Sequence, residues 1–167
     1  MSIAFSLFLQ LSILAYALVA GVFLAFSDFI MRSLALTGGV GGVEAMQVIN
    51  REVFRWVFMA LFLGMAALSL LIAGYAWVNL DSPAGTMIML GALVYLFGCF
   101  GVTVGFNVPM NQALANMELA SEVTRTYWLE TYVPRWTFWN SVRSGAAALA
   151  SALLMFGLLW LTQGQHQ

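Results

Sequence analysis

Residues 56–80 of the chain read WVFMALFLGMAALSLLIAGYAWVNL and contain no acidic or basic side chain. A helix needs roughly 20 consecutive apolar residues to cross the hydrocarbon core of a bilayer, so this stretch is long enough to span a membrane. Three further stretches without Asp, Glu, Lys or Arg cover residues 1–27, 82–117 and 144–167. The sequence therefore predicts an integral membrane protein with four transmembrane helices, at about 3–26, 54–78, 85–106 and 143–162.

The overall composition indicates the same fold class. Of the 167 residues, 62% are hydrophobic and 8% are charged, whereas a soluble domain carries about 25% charged residues. The apolar runs are continuous rather than alternating, which favours helices over a transmembrane β-barrel. We therefore predict an all-α four-helix bundle that forms one domain over residues 1–167. Its net charge of −1 provides no basic surface, so nucleic acid is not an expected partner.

The charged residues lie almost entirely in two connections between the predicted spans. Asp81 alone lies in the second connection, and every cation is an arginine in the first or the third. The positive-inside rule places both of these polar excursions in the cytoplasm. We therefore expect the protein in the inner (cytoplasmic) membrane of a bacterium, with both termini outside the cytoplasm. The charged residues of the two excursions are Asp28, Arg32, Glu44, Arg51, Glu52 and Arg55, and then Glu118, Glu122, Arg125, Glu130, Arg135 and Arg143.

Glycine and proline predict where helices begin and end inside the excursions. The run Thr37-Gly-Gly-Val-Gly-Gly42 predicts a flexible hinge, after which a helix resumes near Val43. Pro109 fits a first helical turn, so we predict that span three ends there and that a new helix covers about 110–122. A further helix is expected from Ser121–Thr124, with a kink at Pro134.

Aromatic and polar residues before the fourth span are spaced to share one helix face. At about 100° per residue they fall within roughly 120° of arc. Indole and phenol rings supply flat walls for a planar ligand, and arginine or tyrosine can hold an oxyanion. The alternative is an interfacial aromatic belt with an anchoring arginine. This aromatic stripe comprises Trp128, Tyr132, Trp136, Trp139, Asn140 and Arg143.

Two further polar groups lie at the ends of the predicted spans. The amides of Asn107 and Asn111 either donate to a ligand carbonyl or cap a helix. The segment Asn50-Arg51-Glu52, with Asp28 at the end of span one, either belongs to a functional site or forms structural ion pairs. Both alternatives remain open from the residues alone.

Metal and cofactor chemistry has few candidate ligands in this sequence. His166 is the only histidine and Cys99 the only cysteine, so sites that need paired histidines or a cysteine set cannot be built within one chain. The glycine-rich run 38–42 has neither a preceding strand nor a lysine, so it is not a nucleotide loop. We therefore expect no metal and no cofactor.

The motif Asn107-Val-Pro-Met-Asn111, followed by the aromatic stripe, resembles the anthrone oxygenase-like family of small four-span membrane proteins. Gly21-Val-Phe-Leu-Ala-Phe-Ser27 and the Asn50-Arg51 pair are similar to it as well, so the resemblance covers nearly the whole chain. It implies oxidation of a lipophilic tricyclic anthrone to a quinone by O2, without metal or flavin. The alternative is a non-catalytic membrane protein: a carrier, a lipid-binding subunit or an assembly factor.

An activity of this kind gives each candidate residue a role. Arg143 or Tyr132 would stabilise the enolate of the substrate, and Asp28 or Glu52 would be the base. The expected partners are the lipid bilayer, the aromatic substrate and O2, and a homo-oligomer is compatible with the sequence. The residues expected to bind the substrate are Asn107, Asn111, Trp128, Trp136, Trp139, Asn140, Asn50 and Arg51.

Overall fold

The described part of the chain forms four long helices and one shorter helix. The computed structural model describes residues 3–55 and 57–163, and in these ranges it contains helices and turns but no strand. A short 3₁₀ turn, Val53–Arg55, precedes the second long helix. In chain order the helices are α1 (Ile3–Leu36), α2 (Gly41–Glu52), α3 (Val57–Asn79), α4 (Pro83–Ala115) and α5 (Glu122–Gln163).

Four of these helices are long and apolar enough to cross a membrane, namely α1, α3, α4 and α5. This result confirms the predicted all-α class and the number of spans, and the chain is an integral membrane protein. Three of the helices run well past the predicted spans at the end of the bundle that carries most of the charges. We call this end, which holds α2 and residues 116–121, the charged end.

The bundle is centred on α5, which packs along both α1 and α4. A Cβ atom added at Gly91 would lie 2.5 Å from Leu154 Cδ1, and one at Gly157 would lie 3.0 Å from the Ala84 carbonyl oxygen. The absence of a side chain at these glycines therefore lets α4 and α5 approach closely. In contrast, α3 packs mainly on α4 and only lightly on α1.

The buried hydroxyl groups of Tyr16, Ser69 and Tyr95 have partners inside the bundle. The Tyr16 and Tyr95 rings stack with centroids 4.4 Å apart. The hydroxyl oxygens of Tyr16 and Ser69 lie 2.5 Å apart, and the Tyr95 hydroxyl donates to the Phe62 carbonyl oxygen at 3.1 Å. Because a polar group in the apolar interior is costly unless it is hydrogen-bonded, these contacts let α1, α3 and α4 meet around tyrosines.

The short helix α2 folds over the charged end of the bundle. The chain turns at Gly39, whose φ of 64° lies in the left-handed region that glycine tolerates. Val43 and Met46 of α2 are buried against the bundle, in a cluster with Met31, Leu114 and Trp128. The Gln47 side-chain amide donates to the Leu114 and Met117 carbonyl oxygens at 2.9 and 3.2 Å, which joins α2 to the turn at the end of α4. Thus α2 is attached to the bundle, and it begins at Gly41, slightly before the predicted start.

The predicted break in span three is wrong, because α4 continues through Asn107 and Pro109 to Ala115. The stretch Thr103–Asn107 is π-helical, and Pro109 falls in the first turn of the α-helical segment that follows. Proline is tolerated in a first turn, and here the preceding turn is π-helical rather than unwound. The helix predicted up to residue 122 ends at Ala115, and Ser121 caps α5 by accepting from the Val123 N–H at 3.2 Å.

Candidate functional site

Three of the long helices become π-helical toward the charged end. The stretches are Phe26–Ile30 in α1, Tyr95–Gly101 and Thr103–Asn107 in α4, and Tyr127–Tyr132 in α5. π-Helical turns are rare and occur frequently at functional sites. Here they contain or adjoin most of the polar side chains described next.

Arg143 lies inside the bundle with 5% of its surface exposed. Its Nη2 donates to Asn140 Oδ1 at 2.5 Å, and its Nη1 donates to Thr103 Oγ1 at 3.3 Å. The guanidinium carbon lies 4.1 Å from the ring centroid of Phe23 and 5.2 Å from that of Trp136. These neighbours satisfy its donors in part and face its charge with aromatic rings.

No acidic residue in the described ranges forms an ion pair with Arg143. The ion pairs found there are Glu52 with Arg55 and Glu122 with Arg125, and both are exposed. Arginine stays protonated in proteins, so the bundle holds a buried positive charge that neutral groups alone surround. A buried charge of this kind is costly unless an anion accompanies it. The arrangement therefore favours a negatively charged group in the adjoining space.

Two amides fix Arg143 and the residues around it. Asn140 Nδ2 donates to the Phe23 carbonyl oxygen and to Ser27 Oγ, each at 2.6 Å, and this joins α5 to α1. Asn107 Nδ2 donates to the Trp136 carbonyl oxygen at 3.2 Å. Among the described residues three buried side-chain atoms have no hydrogen-bond partner, Thr137 Oγ1 and, in this group, Asn107 Oδ1 and Arg143 Nε. Buried polar atoms usually have one, so the last two retain bonding capacity.

A second polar network joins α5 to α4 and α2. Asn111 Oδ1 accepts from the Tyr132 hydroxyl and from Trp136 Nε1, both at 2.8 Å. The Tyr132 hydroxyl in turn accepts from Asn50 Nδ2 at 3.4 Å. The single oxygen of Asn111 therefore sets the positions of a phenol and an indole.

Most residues of the aromatic stripe of α5 lie in the interior of the bundle, and one lies against the surface of α4. Trp128, Tyr132 and Trp136 are buried and stack in series, with centroid separations of 5.3 and 6.2 Å. Trp139 is only partly buried and stacks on Phe106 of α4 at 3.7 Å. Five of the six predicted residues thus face inward, whereas Trp139 does not join them, although ideal α-helical spacing places it within the arc.

A narrow cavity of about 90 Å³ lies beside Arg143. Arg143, Thr103, Asn50 and Asn111 supply its polar groups. The remaining described wall is aromatic and aliphatic, from Val22, Phe23, Phe26, Met46, Ile49, Val53, Phe54, Phe58, Met59, Phe62, Val108 and Trp136. The cavity combines flat apolar walls with one cationic end, which suits a planar molecule that carries a negatively charged oxygen.

The structure does not bring every predicted site residue to this cavity. Asp28 and Arg51 are exposed, and Glu52 pairs with Arg55 at 3.2 Å. None of these residues, nor Trp139, is among the described residues of the cavity wall. Four others, Asn107, Trp128, Tyr132 and Asn140, lie in the hydrogen-bonded or stacked surroundings rather than on the wall itself.

Several wall residues were not predicted from the sequence. Phe23, Phe58 and Phe62 form aromatic walls, and Thr103 bonds Arg143. A signal existed for Thr103, which precedes Asn107 and Asn111 at four-residue spacing and so shares their helix face. The phenylalanines gave no such signal, because phenylalanine is equally suited to facing lipid.

All but one of the polar cavity residues fall within a segment with recognisable relatives. A family model described as anthrone oxygenase matches residues 51–153. The chain belongs to the anthrone oxygenase family. This finding confirms the resemblance seen in the sequence motifs.

The family match includes α3, α4 and the part of α5 that carries Arg143. Of the polar wall residues, only Asn50 lies outside it, by one position. No curated protein and no solved structure matches the chain significantly. Family membership leaves the reaction and the substrate of an individual member to be argued from the site.

Proposed function

We propose that the protein is a cofactor-independent oxygenase that converts a lipophilic aromatic substrate of the anthrone class to the corresponding quinone with O2. The observation that supports this most directly is the buried, acid-free Arg143 at the end of a cavity with aromatic walls. Such a site favours the enolate of an anthrone over its neutral ketone, because only the enolate carries the compensating charge.

The proposed reaction needs no electron carrier besides O2. Loss of one proton from the methylene carbon of the anthrone gives an enolate that is also a stabilised carbanion. This carbanion transfers an electron to O2, and the two radicals combine to a peroxide anion on that carbon, which takes up the first released proton to form a hydroperoxide. Loss of the second methylene hydrogen as a proton breaks the O–O bond, which leaves a carbonyl and hydroxide. The hydroxide and a released proton form water, so the carbon loses four electrons and O2 gains four.

Arg143 is the proposed catalytic residue, because it is placed to hold the oxygen of the enolate. Asn50 and Asn111 line the same cavity and are proposed to orient the ligand. Tyr132 is a proposed positioning residue, since its hydroxyl bonds both amides. Asp28 and Glu52 do not line the described wall, so neither is proposed as the base. Instead, we propose that Arg143 makes the methylene protons of the bound ketone more acidic by stabilising the enolate, and that a water molecule accepts the proton.

Oxygen uptake by the purified protein in lipid nanodiscs tests the proposal. We expect saturable conversion of anthrone to anthraquinone, with one O2 consumed per quinone formed and no loss of rate in the presence of a chelator. Empty nanodiscs give the background of uncatalysed oxidation. A rate equal to that background, or a rate that follows a stoichiometric metal in the sample, would contradict the proposal.

A non-catalytic carrier or ligand-binding subunit is the second candidate. It is favoured by the lack of a carboxylate on the described cavity wall, since a site without a base can hold an anion without reacting with it. Saturable binding of anthrone without O2 uptake above background would support this candidate over the oxygenase.

We also propose that the charged end faces the cytoplasm of a bacterium. All six cations are arginines in the first and third connections, which the positive-inside rule assigns to the cytoplasm. A fluorescent protein fused after Gln167 is expected to stay dark, whereas alkaline phosphatase fused there is expected to be active. The same reporters placed after Gly39 serve as the matched control and are expected to give the opposite pattern. A fluorescent fusion after Gln167 would reverse the assignment.

A further inference from the structure

We infer that the ligand reaches Arg143 sideways from the bilayer, through a mouth between α1 and α3 formed by Val22 and Phe54. The inference rests on the ligand-binding part of the proposed function and narrows the substrate class. Substrates are then uncharged three-ring ketones dissolved in the membrane, and water-soluble conjugates of the same ring system are excluded.

The charged end of the cavity is largely covered by protein. Helix α2 lies across it, with Met46 buried and on the cavity wall, and the Gln47 bonds hold α2 to the end of α4. The stacked rings of Trp128, Tyr132 and Trp136 form a second buried layer at this end. A three-ring ligand arriving from water would have to pass this packed layer.

The lipid side of the cavity is open by comparison. Val22 and Phe54 both line the cavity, yet they are 40% and 67% exposed. They belong to α1 and to the turn that leads into α3, and these two helices pack only lightly on each other. Val22 precedes Asp28 by six residues, about 9 Å along the helix axis. The Val22 side of the mouth therefore lies at the depth of the acyl chains, within the apolar part of α1, whereas Phe54 directly precedes the exposed Arg55 and marks the side nearer the membrane surface.

The size of the cavity indicates that the mouth widens when a ligand enters. Its volume of about 90 Å³ is below the ~300–1,000 Å³ of pockets that hold drug-sized ligands. Met46 and Met59 on its wall are flexible side chains that can repack. Phe54 lies in the short 3₁₀ turn Val53–Arg55, between two helices, and so can move without disturbing either one.

Binding kinetics of anthraquinone in nanodiscs test this route independently of turnover. Anthraquinone has the three rings and a carbonyl but no methylene to oxidise, and its binding is followed by stopped-flow quenching of tryptophan fluorescence. Val22→Phe adds bulk at the mouth without a new fluorophore. We expect it to slow association and dissociation together, each about tenfold, with the dissociation constant changed less than about twofold.

Leu18→Phe is the matched control, because Leu18 lies one turn earlier on α1, is 54% exposed and does not line the cavity. It is expected to leave both rates unchanged. Anthraquinone-2-sulfonate, which is held in water by its charge, is expected to give no saturable quenching although it would suit Arg143 electrostatically.

The outcomes separate this inference from the proposed function. If anthraquinone binds and Val22→Phe leaves its rates unchanged, or if the sulfonate binds as fast as the neutral quinone, the lateral route is wrong while ligand binding stands. If neutral anthraquinone does not bind the wild-type protein, both the route and the proposed site are wrong. If Val22→Phe slows anthraquinone association and dissociation but the wild-type protein does not oxidise anthrone, the route is supported and the oxygenase is contradicted.

Discussion

Arg143→Met is expected to lower the rate of anthrone oxidation by at least about a hundredfold, the usual effect of removing one group that stabilises an oxyanion. Methionine keeps an apolar side chain of moderate length in place but removes the charge that favours the enolate. The rate is measured as O2 uptake in nanodiscs, after subtraction of the uncatalysed background. Anthraquinone, which is neutral, is expected to bind the variant with nearly unchanged affinity.

Arg143→Met is expected to be at least as stable as the wild type, although its activity falls. Because Arg143 is buried without an acidic partner in the described ranges, its desolvation is uncompensated, and a neutral side chain removes that cost. Asn140 keeps its two bonds to α1. We therefore expect Arg143→Met to unfold at the same temperature as the wild type or at a higher one. Arg143 would then be a residue that activity requires although it lowers stability.

Two arginine-to-lysine variants distinguish the shape of the guanidinium from its charge. Arg143→Lys retains the charge but loses the planar group that bonds both Asn140 and Thr103, so an intermediate loss of about tenfold is expected. Arg135→Lys makes the same change on an exposed face of α5 and is expected to leave the rate of anthrone oxidation unchanged. Full activity in both Arg143 variants would show that the buried cation is structural, and the proposed mechanism would then be wrong.

Asn111→Asp is expected to reduce anthrone oxidation at least about tenfold while the protein keeps its fold. The carboxylate has the same shape and can still accept the bonds from Tyr132 and Trp136. It also places a negative charge on the wall of the cavity that Arg143 lines. This charge neutralises Arg143 and repels an enolate, and like charges held together cost several kcal/mol.

Gln112→Glu is the matched control for this second variant. It introduces the same charge one position further along α4, on an exposed side chain outside the cavity, and is expected to leave the rate unchanged. Thermal unfolding of both variants is measured beside activity. An Asn111→Asp protein that is fully active and well folded would show that no anion forms beside Arg143 during the reaction.

The sequence predicted the bundle well because the length of an apolar run determines whether it can span a membrane. Residues 56–80 need no knowledge of their neighbours to be assigned. The inward face of α5 was predictable for the same local reason, since spacing along one helix defines which residues share a face. Trp139 shows the limit of this argument, because ideal spacing places it within the arc, whereas the π-helical stretch Tyr127–Tyr132 changes that spacing and Trp139 stacks on Phe106 instead.

The features that depend on contacts between helices could not be predicted. Nothing local to Asn107 and Pro109 indicates that α4 accommodates them in a π-helical stretch and the α-helical turn after it. Likewise, the spacing of Asp28 or Glu52 along the chain does not tell whether either reaches Arg143. The same holds for Phe23, which became a wall residue only through the packing of α1 against α5.

The π-helical stretches also bear on how such a helix can vary in length. A π turn closes its hydrogen bond over one residue more than an α turn, so each stretch is equivalent to a single-residue insertion in an ordinary helix. Deleting one residue from Thr103–Asn107 would leave α4 long enough to span the bilayer. Because the wider turn absorbs the extra residue, its loss would return this part of α4 to an ordinary α-helix and leave the residues on either side, Asn111 included, close to their present directions. Homologues that are one residue shorter here are therefore expected to keep both the membrane architecture and the place of Asn111 on the cavity wall.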